Sequence, residues 1–116
     1  MNLCVNGCCI AALMYVVAAP AAAQDGARLA SGEKTFISSC KSCHDTGKLQ
    51  NDAPQLSEQG EWKDRYGKGR PDLYKSAIDG FSGYFLMPPR GGNAALSEDE
   101  VKAAVDYMLQ RAGVTR

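Results

Sequence analysis

Cysteine, histidine and net charge are all scarce in this chain. Its 116 residues include five cysteines and one histidine, and three of the cysteines fall within residues 1–9. If that segment is removed, Cys40 and Cys43 alone cannot provide the several disulfides that usually stabilise small exported domains. A zinc site takes four ligands and would therefore need carboxylates beside these two cysteines and His44. The 13 basic residues balance the 13 acidic ones, which argues against nucleic acid or an acidic membrane as the main partner.

Charged side chains are absent from residues 1–23, and this segment is almost purely apolar from residue 8 onward. It ends in three alanines that match an A-x-A cleavage site, and it is shorter than the about 20 apolar residues that a membrane span needs. We therefore predict a signal peptide over residues 1–23, cleaved after Ala23, and a periplasmic domain over residues 24–116. The alternative is an uncleaved membrane anchor, and the lack of Lys or Arg in residues 1–7 departs from the usual signal peptide.

Helical patterns occur in three stretches of the remaining chain, and no stretch has the alternating pattern of a strand. The first covers residues 27–39. The second begins at Pro71, covers residues 71–78 and ends before a glycine. The third follows the capping box formed by Ser97 and Glu100 and has a continuous apolar face. The intervening segments are rich in Gly, Pro, Asp and Ser, and we predict long loops over residues 46–69 and 80–96.

Cys40, Cys43 and His44 form a C-x-x-C-H motif, which predicts covalent attachment of one haem c. Each thiol would form a thioether with a haem vinyl group, and His44 would bind the iron. A C-x-x-C pair also occurs in thiol redox sites, but those need a strand-helix-strand context that this sequence does not show. A bound haem would supply the apolar core of the domain, and the two long loops would cover its faces.

Met87 is the best candidate for a second axial ligand of the iron. It precedes Pro88 and Pro89, so this segment is predicted not to be helical, and the prolines would hold the thioether in a fixed place. Met108 is the rival, but it lies on the apolar face of the last predicted helix and is expected to pack there. Ligation by His44 and Met87 would leave no open position for a substrate, which predicts one-electron transfer instead of catalysis.

At this point the chain resembles the class I c-type cytochromes, and among them the small bacterial cytochrome c5-like group. The resemblance rests on Gly32 and Phe36 before the C-x-x-C-H motif, on the Met-Pro-Pro segment at Met87, and on Tyr107 in the last helix. It implies an all-α fold in which three to five helices surround one covalently bound haem. It also implies that the amino- and carboxy-terminal helices cross, with Gly32 allowing close approach and the two aromatic rings packing at the crossing.

Three further residues are assigned to the haem site by this resemblance alone. Pro54 matches the proline whose region offers a backbone carbonyl to the histidine ligand, and such a contact fixes the orientation of the ring. Trp62 and Arg65 fall where the family places groups near the haem propionates, although Trp62 is equally explained as a core aromatic. One departure is that residues 93–96 lack the second cysteine pair of several c5-like proteins.

The predicted function is that of a periplasmic monohaem electron carrier, and the chain is not expected to be an enzyme. Its predicted partners are redox proteins that donate and accept electrons through small, short-lived interfaces of under about 1,200 Å². We expect no nucleic acid partner, and we expect contact with a membrane only if the amino-terminal segment is not cleaved. The chain should be a monomer or part of a small transient complex. One alternative is a cytochrome subunit of a dehydrogenase complex. Another is a ligand-binding haem enzyme in which Met87 is displaced.

Overall fold

Helices form most of the described chain in the computed structural model, which covers residues 16–47, 52–83 and 86–116. The α-helices in this part of the chain are α1 (Ala21–Thr35), α2 (Lys41–His44), α3 (Gln59–Tyr66), α4 (Arg70–Asp79) and α5 (Glu98–Arg111). The shorter elements are a π-helical turn (Phe36–Cys40), the strands β1 (Phe81–Ser82) and β2 (Leu86–Met87), and a 3-10 turn (Pro89–Gly92). The predicted all-α class is confirmed.

Helices α1 and α5 cross in close contact at Gly32. A Cβ atom built on Gly32 would lie 2.1 Å from the carbonyl oxygen of Ala103, so no other residue fits there without moving one helix. Next to this contact, the ring of Phe36, at the start of the π-helical turn, packs against the ring of Tyr107 in α5 with the centroids 5.4 Å apart. The predicted crossing and both of its aromatic residues are therefore confirmed.

Helix α5 begins where the capping box predicts. The Ser97 side chain accepts a hydrogen bond from the backbone of Glu100, whose carboxylate accepts one from the backbone of Ser97. Gly113, with φ of 72°, follows the helix in the left-handed conformation typical of a helix end. The buried side chains of α5 are Val101, Ala103, Ala104, Val105, Met108 and Leu109.

A partly buried carboxylate ties three helices together at Asp106 of α5. Its two oxygens accept hydrogen bonds from Arg28 of α1 at 2.7 Å and from the Tyr74 hydroxyl of α4 at 2.6 Å. Arg70, also in α4, lies 3.4 Å from the same carboxylate. Because Asp106 holds all three partners at once, it fixes α4 beside the crossing of α1 and α5.

The structure corrects two sequence-based expectations. The predicted loop over residues 46–69 contains α3, whose pattern was hard to recognise because Trp62 is its one buried side chain. The prediction of no strand was also wrong: β1 and β2 pair antiparallel, with Phe81 opposite Met87 and Ser82 opposite Leu86. Each of these strands has two residues, which is too short to produce an alternating pattern.

Most of the predicted signal peptide, residues 1–15, lies outside the described residues. Helix α1 begins at Ala21, so its first three residues precede the predicted cleavage point, and all of residues 16–27 are exposed. Within the described ranges, none of the helices is both long and apolar enough to cross a bilayer.

Candidate haem site

A largely apolar cavity of about 590 Å³ lies between α3, α4 and α5. Residues 52–54 and the segment around Met87 also line it. Its volume falls within the range of about 300–1,000 Å³ that is typical of cofactor and ligand sites. Cys40, Cys43, His44 and Met87 all line it, although Met87 is more than 40 residues away from the motif in sequence. The fold therefore brings all four predicted haem-binding groups to one cavity.

One face of α5 forms a wall of this cavity. Val101, Ala104, Val105 and Met108 follow one another at spacings of three, one and three residues, and all four line the cavity. This spacing places them on the same side of a helix. The sequence analysis assigned Met108 and its apolar helix face to packing. The same face therefore also lines the cavity.

His44 is buried at the end of α2, and a hydrogen bond at Nδ1 orients its ring. Its Nδ1 lies 2.8 Å from the carbonyl oxygen of Pro54, which can only accept, so Nδ1 carries the hydrogen. Burial lowers the pKa of His44, the bond to Pro54 partly opposes this, and the charge of Arg65 lowers it further. The imidazole is thus neutral at pH 7, and its unprotonated Nε2 has a lone pair available for a metal.

The two cysteines are free thiols that line the cavity at the end of the π-helical turn and in α2. Burial, together with the neighbouring Cys43, raises the pKa of Cys40 to about 11. Both cysteines line the same apolar cavity as His44, an arrangement that fits haem attachment.

Met87 reaches the cavity from β2, in agreement with the prediction that it lies outside a helix. Its strand is half-exposed, and the segment that follows is shaped by Pro88 and Pro89. Beyond them, Gly91 packs on the π-helical turn: a Cβ at this glycine would lie 2.8 Å from the carbonyl oxygen of Ser39. The methionine segment is thereby docked beside Cys40.

Asn93 and Arg90 complete this docking. The side-chain amide of Asn93 donates a hydrogen bond to the Ser39 hydroxyl at 3.1 Å, and the Arg90 guanidinium donates to the carbonyl oxygen of Leu96. Arg90 itself has a φ of 54°, a backbone conformation that is uncommon outside glycine. The chain therefore accepts an unfavourable backbone conformation directly after the methionine segment.

Trp62 and Arg65 both line the cavity, on the side of α3. The Trp62 ring is 5 % exposed and lies 5.7 Å from the His44 ring, and its indole N–H donates to the carbonyl oxygen of Gln55 at 2.8 Å. Arg65 forms an ion pair with Glu61 at 2.6 Å. The structure places both residues at the site, with the indole N–H already engaged.

Sequence reasoning missed two features of the site. Gln55 is 5 % exposed and hydrogen-bonded to the backbone around the cysteine motif, which a lone glutamine in a loop does not signal. Charged groups of both signs also line the cavity, and of these the sequence analysis assigned only Arg65 to the site. These groups are Asp52, Arg65, Lys68, Asp72 and Arg90. Their spread over four separate segments leaves no local motif to recognise.

Comparisons with known proteins show which family the chain belongs to. A family model described as cytochrome c oxidase, cbb3-type, subunit III matches residues 27–108. Cytochrome c-555 of Chlorobaculum tepidum is 37% identical over 81 residues, which cover 69% of this chain and 73% of that protein. Cytochrome c5 of Azotobacter vinelandii is 38% identical over 88 residues, which cover 72% of this chain and 94% of that protein.

A solved structure is similar as well. A chain in the crystal structure of an electron transfer complex of nitrite reductase with cytochrome c matches with a TM-score of 0.61 and 35% sequence identity. The match covers 71% of this chain and 94% of that one. The fold as well as the sequence is thus shared with small cytochromes.

The helical fold, the cavity and these relatives together define a class I c-type cytochrome with one haem. The chain belongs to the family described as cbb3-type cytochrome c oxidase subunit III, whose model covers more than half of its sequence. Its cofactor is a covalently bound haem c with its iron. Like its named relatives, it is an electron carrier and not an enzyme. The alternative of a ligand-binding haem enzyme is therefore not supported.

Proposed function

We propose that this chain is a periplasmic cytochrome that carries single electrons between redox proteins, and that His44 and Met87 are the axial ligands of its iron. The observation that carries the proposal is the convergence of Cys40, Cys43, His44 and Met87 on one apolar cavity. When bound, the haem supplies an iron that gains and loses one electron. The protein's part is to attach the haem, to fix both ligands and to exclude water.

The ligand assignment follows from the chemistry of the two side chains. His44 donates from Nδ1 to Pro54, so Nε2 is the nitrogen left for the iron, and none of the described residues hydrogen bonds it. Met87 contributes a neutral thioether, which raises the reduction potential of a haem iron. With His44 and Met87 both bound to it, the iron would have no open position for a substrate, and the chemistry that the haem would supply is one-electron transfer.

Redox partners would approach where the cavity opens near the two strands. Leu86 and Phe81 line this part of the cavity and are 71% and 48% exposed. The similar solved structure is titled as an electron transfer complex of nitrite reductase with cytochrome c, which supports a partner protein of the redox class. A contact of this kind is small and breaks quickly, as repeated electron delivery requires.

Export rests on residues 1–23, and cleavage after Ala23 is compatible with the fold. Such a cut would remove Ala21, Ala22 and Ala23 from α1, and all three are exposed, so little packing would be lost. We expect mass spectrometry of the protein from the periplasm to find an amino terminus at Gln24. A full-length chain in the membrane fraction would instead support the anchor.

The sharpest test of the ligand pair compares the two rival methionines. In the oxidised holoprotein, the absorption band of a methionine–iron bond should be present in wild type and lost in Met87→Ala. The reduction potential of that variant should fall, because the thioether that raises it is gone. The matched control is Met108→Leu, which keeps the volume of a side chain that is 5% exposed and should keep the band.

Two results would contradict the ligand assignment. If the band survives in Met87→Ala but disappears in Met108→Leu, the ligand is Met108. If the wild-type protein lacks the band and binds carbon monoxide readily when reduced, the iron has an open position and the closed-carrier assignment fails.

A second candidate function is that of an electron-transfer subunit within a larger oxidoreductase complex. The name of the matching family, cytochrome c oxidase, cbb3-type, subunit III, favours it. The exposed apolar side chains of Leu86 and Phe81 would then lie against another subunit. Purification from the native source under mild conditions separates the two functions, since a carrier elutes at the size of its own chain.

A further inference from the structure

We infer that Gln55 is a positioning residue that holds the imidazole of His44 in the orientation required for binding the iron. The inference rests on the proposed function, in which His44 is an axial ligand. Gln55 itself is buried, with 5% exposure, and is not among the described residues that line the cavity. Any effect that it has on the haem must therefore pass through its neighbours.

The side-chain amide of Gln55 uses both of its polar atoms to join two segments. Its Nε2 donates to the carbonyl oxygens of Cys43 at 2.8 Å and of Ala53 at 3.0 Å. Its Oε1 accepts from the backbone N–H of Thr46 at 2.9 Å and from the hydroxyl of the same residue at 3.2 Å. The amide thus bridges the residues on both sides of His44 to the loop that precedes Gln55.

Two backbone contacts of His44 flank this bridge. The ring Nδ1 donates to the carbonyl oxygen of Pro54 at 2.8 Å, and the carbonyl oxygen of His44 accepts from the N–H of Leu56 at 2.9 Å. Gln55 lies between these two partners in sequence. Its side chain therefore fixes the distance between the ligand-bearing helix and the carbonyl that orients the ligand.

The backbone of Gln55 is held independently of its side chain. Its N–H donates to the Glu58 carboxylate at 2.7 Å, and its carbonyl oxygen accepts from the Trp62 indole at 2.8 Å. Both contacts remain possible after the side chain is replaced. A variant at this position can therefore keep the course of the loop while losing the bridge to Cys43 and Thr46.

The consequence for the haem follows from the hydrogen bond to Pro54. A short bond at Nδ1–H fixes the ring and makes the imidazole a more basic ligand. A more basic ligand stabilises the oxidised iron more than the reduced iron. If the bridge is lost, Pro54 is held less firmly, the bond at Nδ1 weakens, and the reduction potential rises.

The test uses the holoprotein with Gln55→Met, which keeps the length of the side chain but removes its four hydrogen bonds. We expect solvent exchange of the His44 Nδ1–H, followed by NMR, to become at least about tenfold faster, since opening of this bond limits exchange. The reduction potential should rise in the same variant. Gln59→Met is the matched control, because this exposed glutamine bonds Gly113 away from the haem and should change neither quantity.

A second variant keeps the inference testable if Gln55→Met does not fold. Gln55→Asn retains the amide on a side chain that is one methylene shorter, so it weakens the bridge without burying a charge, and its Nδ1–H should exchange at a rate between those of wild type and Gln55→Met. Unchanged exchange and potential, with a lower unfolding temperature, would show a purely structural residue and overturn the inference alone. A wild-type spectrum in which His44 is not an iron ligand would overturn the proposed function with it.

Discussion

The two sides of the haem cavity are built in opposite ways. On the histidine side, the ligand is buried, and its backbone and ring are hydrogen-bonded to a segment only about ten residues away, through Pro54 and Leu56. On the methionine side, Met87 is half-buried in a two-residue strand next to Leu86, which is 71% exposed. Hydrogen bonds made by the ligand residue itself fix His44, whereas Met87 is held through the residues that follow it, by close backbone contacts and by the hydrogen bonds of Arg90 and Asn93.

This difference suggests how each ligand would be lost. A dense set of hydrogen bonds opens as a unit, because each bond restrains the same short segment. The methionine segment is restrained mainly by close approach of backbone atoms, at Gly80 and at Gly91. A single added methyl group should therefore displace the methionine while leaving the histidine side intact.

The largest effect is expected from Gly80→Ala, which should move Met87 away from the iron. Gly80 has φ of 82° and ψ of 167°, a region open essentially to glycine alone, and a Cβ there would lie 2.8 Å from the Met87 carbonyl oxygen. We expect a loss of about 1–3 kcal/mol from backbone strain and a similar further loss from the clash. The absorption band of the methionine–iron bond should weaken or disappear, and a spectrum of the oxidised holoprotein checks this.

Gly69→Ala separates the clash from the strain. Gly69 has nearly the same backbone conformation, φ of 94° and ψ of 157°, but the nearest atom to a built Cβ is Pro71 Cδ at 3.5 Å. This control should lose stability through strain only and keep the methionine band. Loss of the band in both variants to the same degree would show that general destabilisation, and not contact with Met87, releases the ligand.

The parts of this fold that sequence predicts are those with strong local signals. The capping box at Ser97 and the apolar face behind it predicted α5, and Pro71 predicted the start of α4 within one residue. The crossing at Gly32 was predicted from the family resemblance. Without that resemblance, a lone glycine inside a helical pattern only argues against a stable helix. Within the site, the C-x-x-C-H motif was evident from the fixed spacing of its cysteines and histidine. Met87 was evident because the two prolines that follow it exclude a helix.

The remainder depends on contacts between distant or unremarkable residues. Helix α3 was missed because a single buried tryptophan does not define an apolar face. Gln55 gave no signal, because its role comes from two backbone segments that meet only in the folded chain. The Asp106 contacts with Arg28 and Tyr74 link residues more than 30 positions apart and were likewise not predictable from spacing.

A smaller effect is expected from Trp62→Phe, which sharpens the description of the histidine side. The variant keeps an aromatic ring beside His44 but removes the N–H that bonds the Gln55 carbonyl oxygen at 2.8 Å. Leaving this carbonyl without its partner should cost about 1–3 kcal/mol of unfolding free energy. The methionine band should be unchanged, the reverse of the result for Gly80→Ala, and chemical denaturation with spectra of the same samples measures both. If stability is instead unchanged and the pH dependence of the reduction potential shifts, the indole N–H donates a hydrogen bond to a haem propionate, as the family resemblance implies.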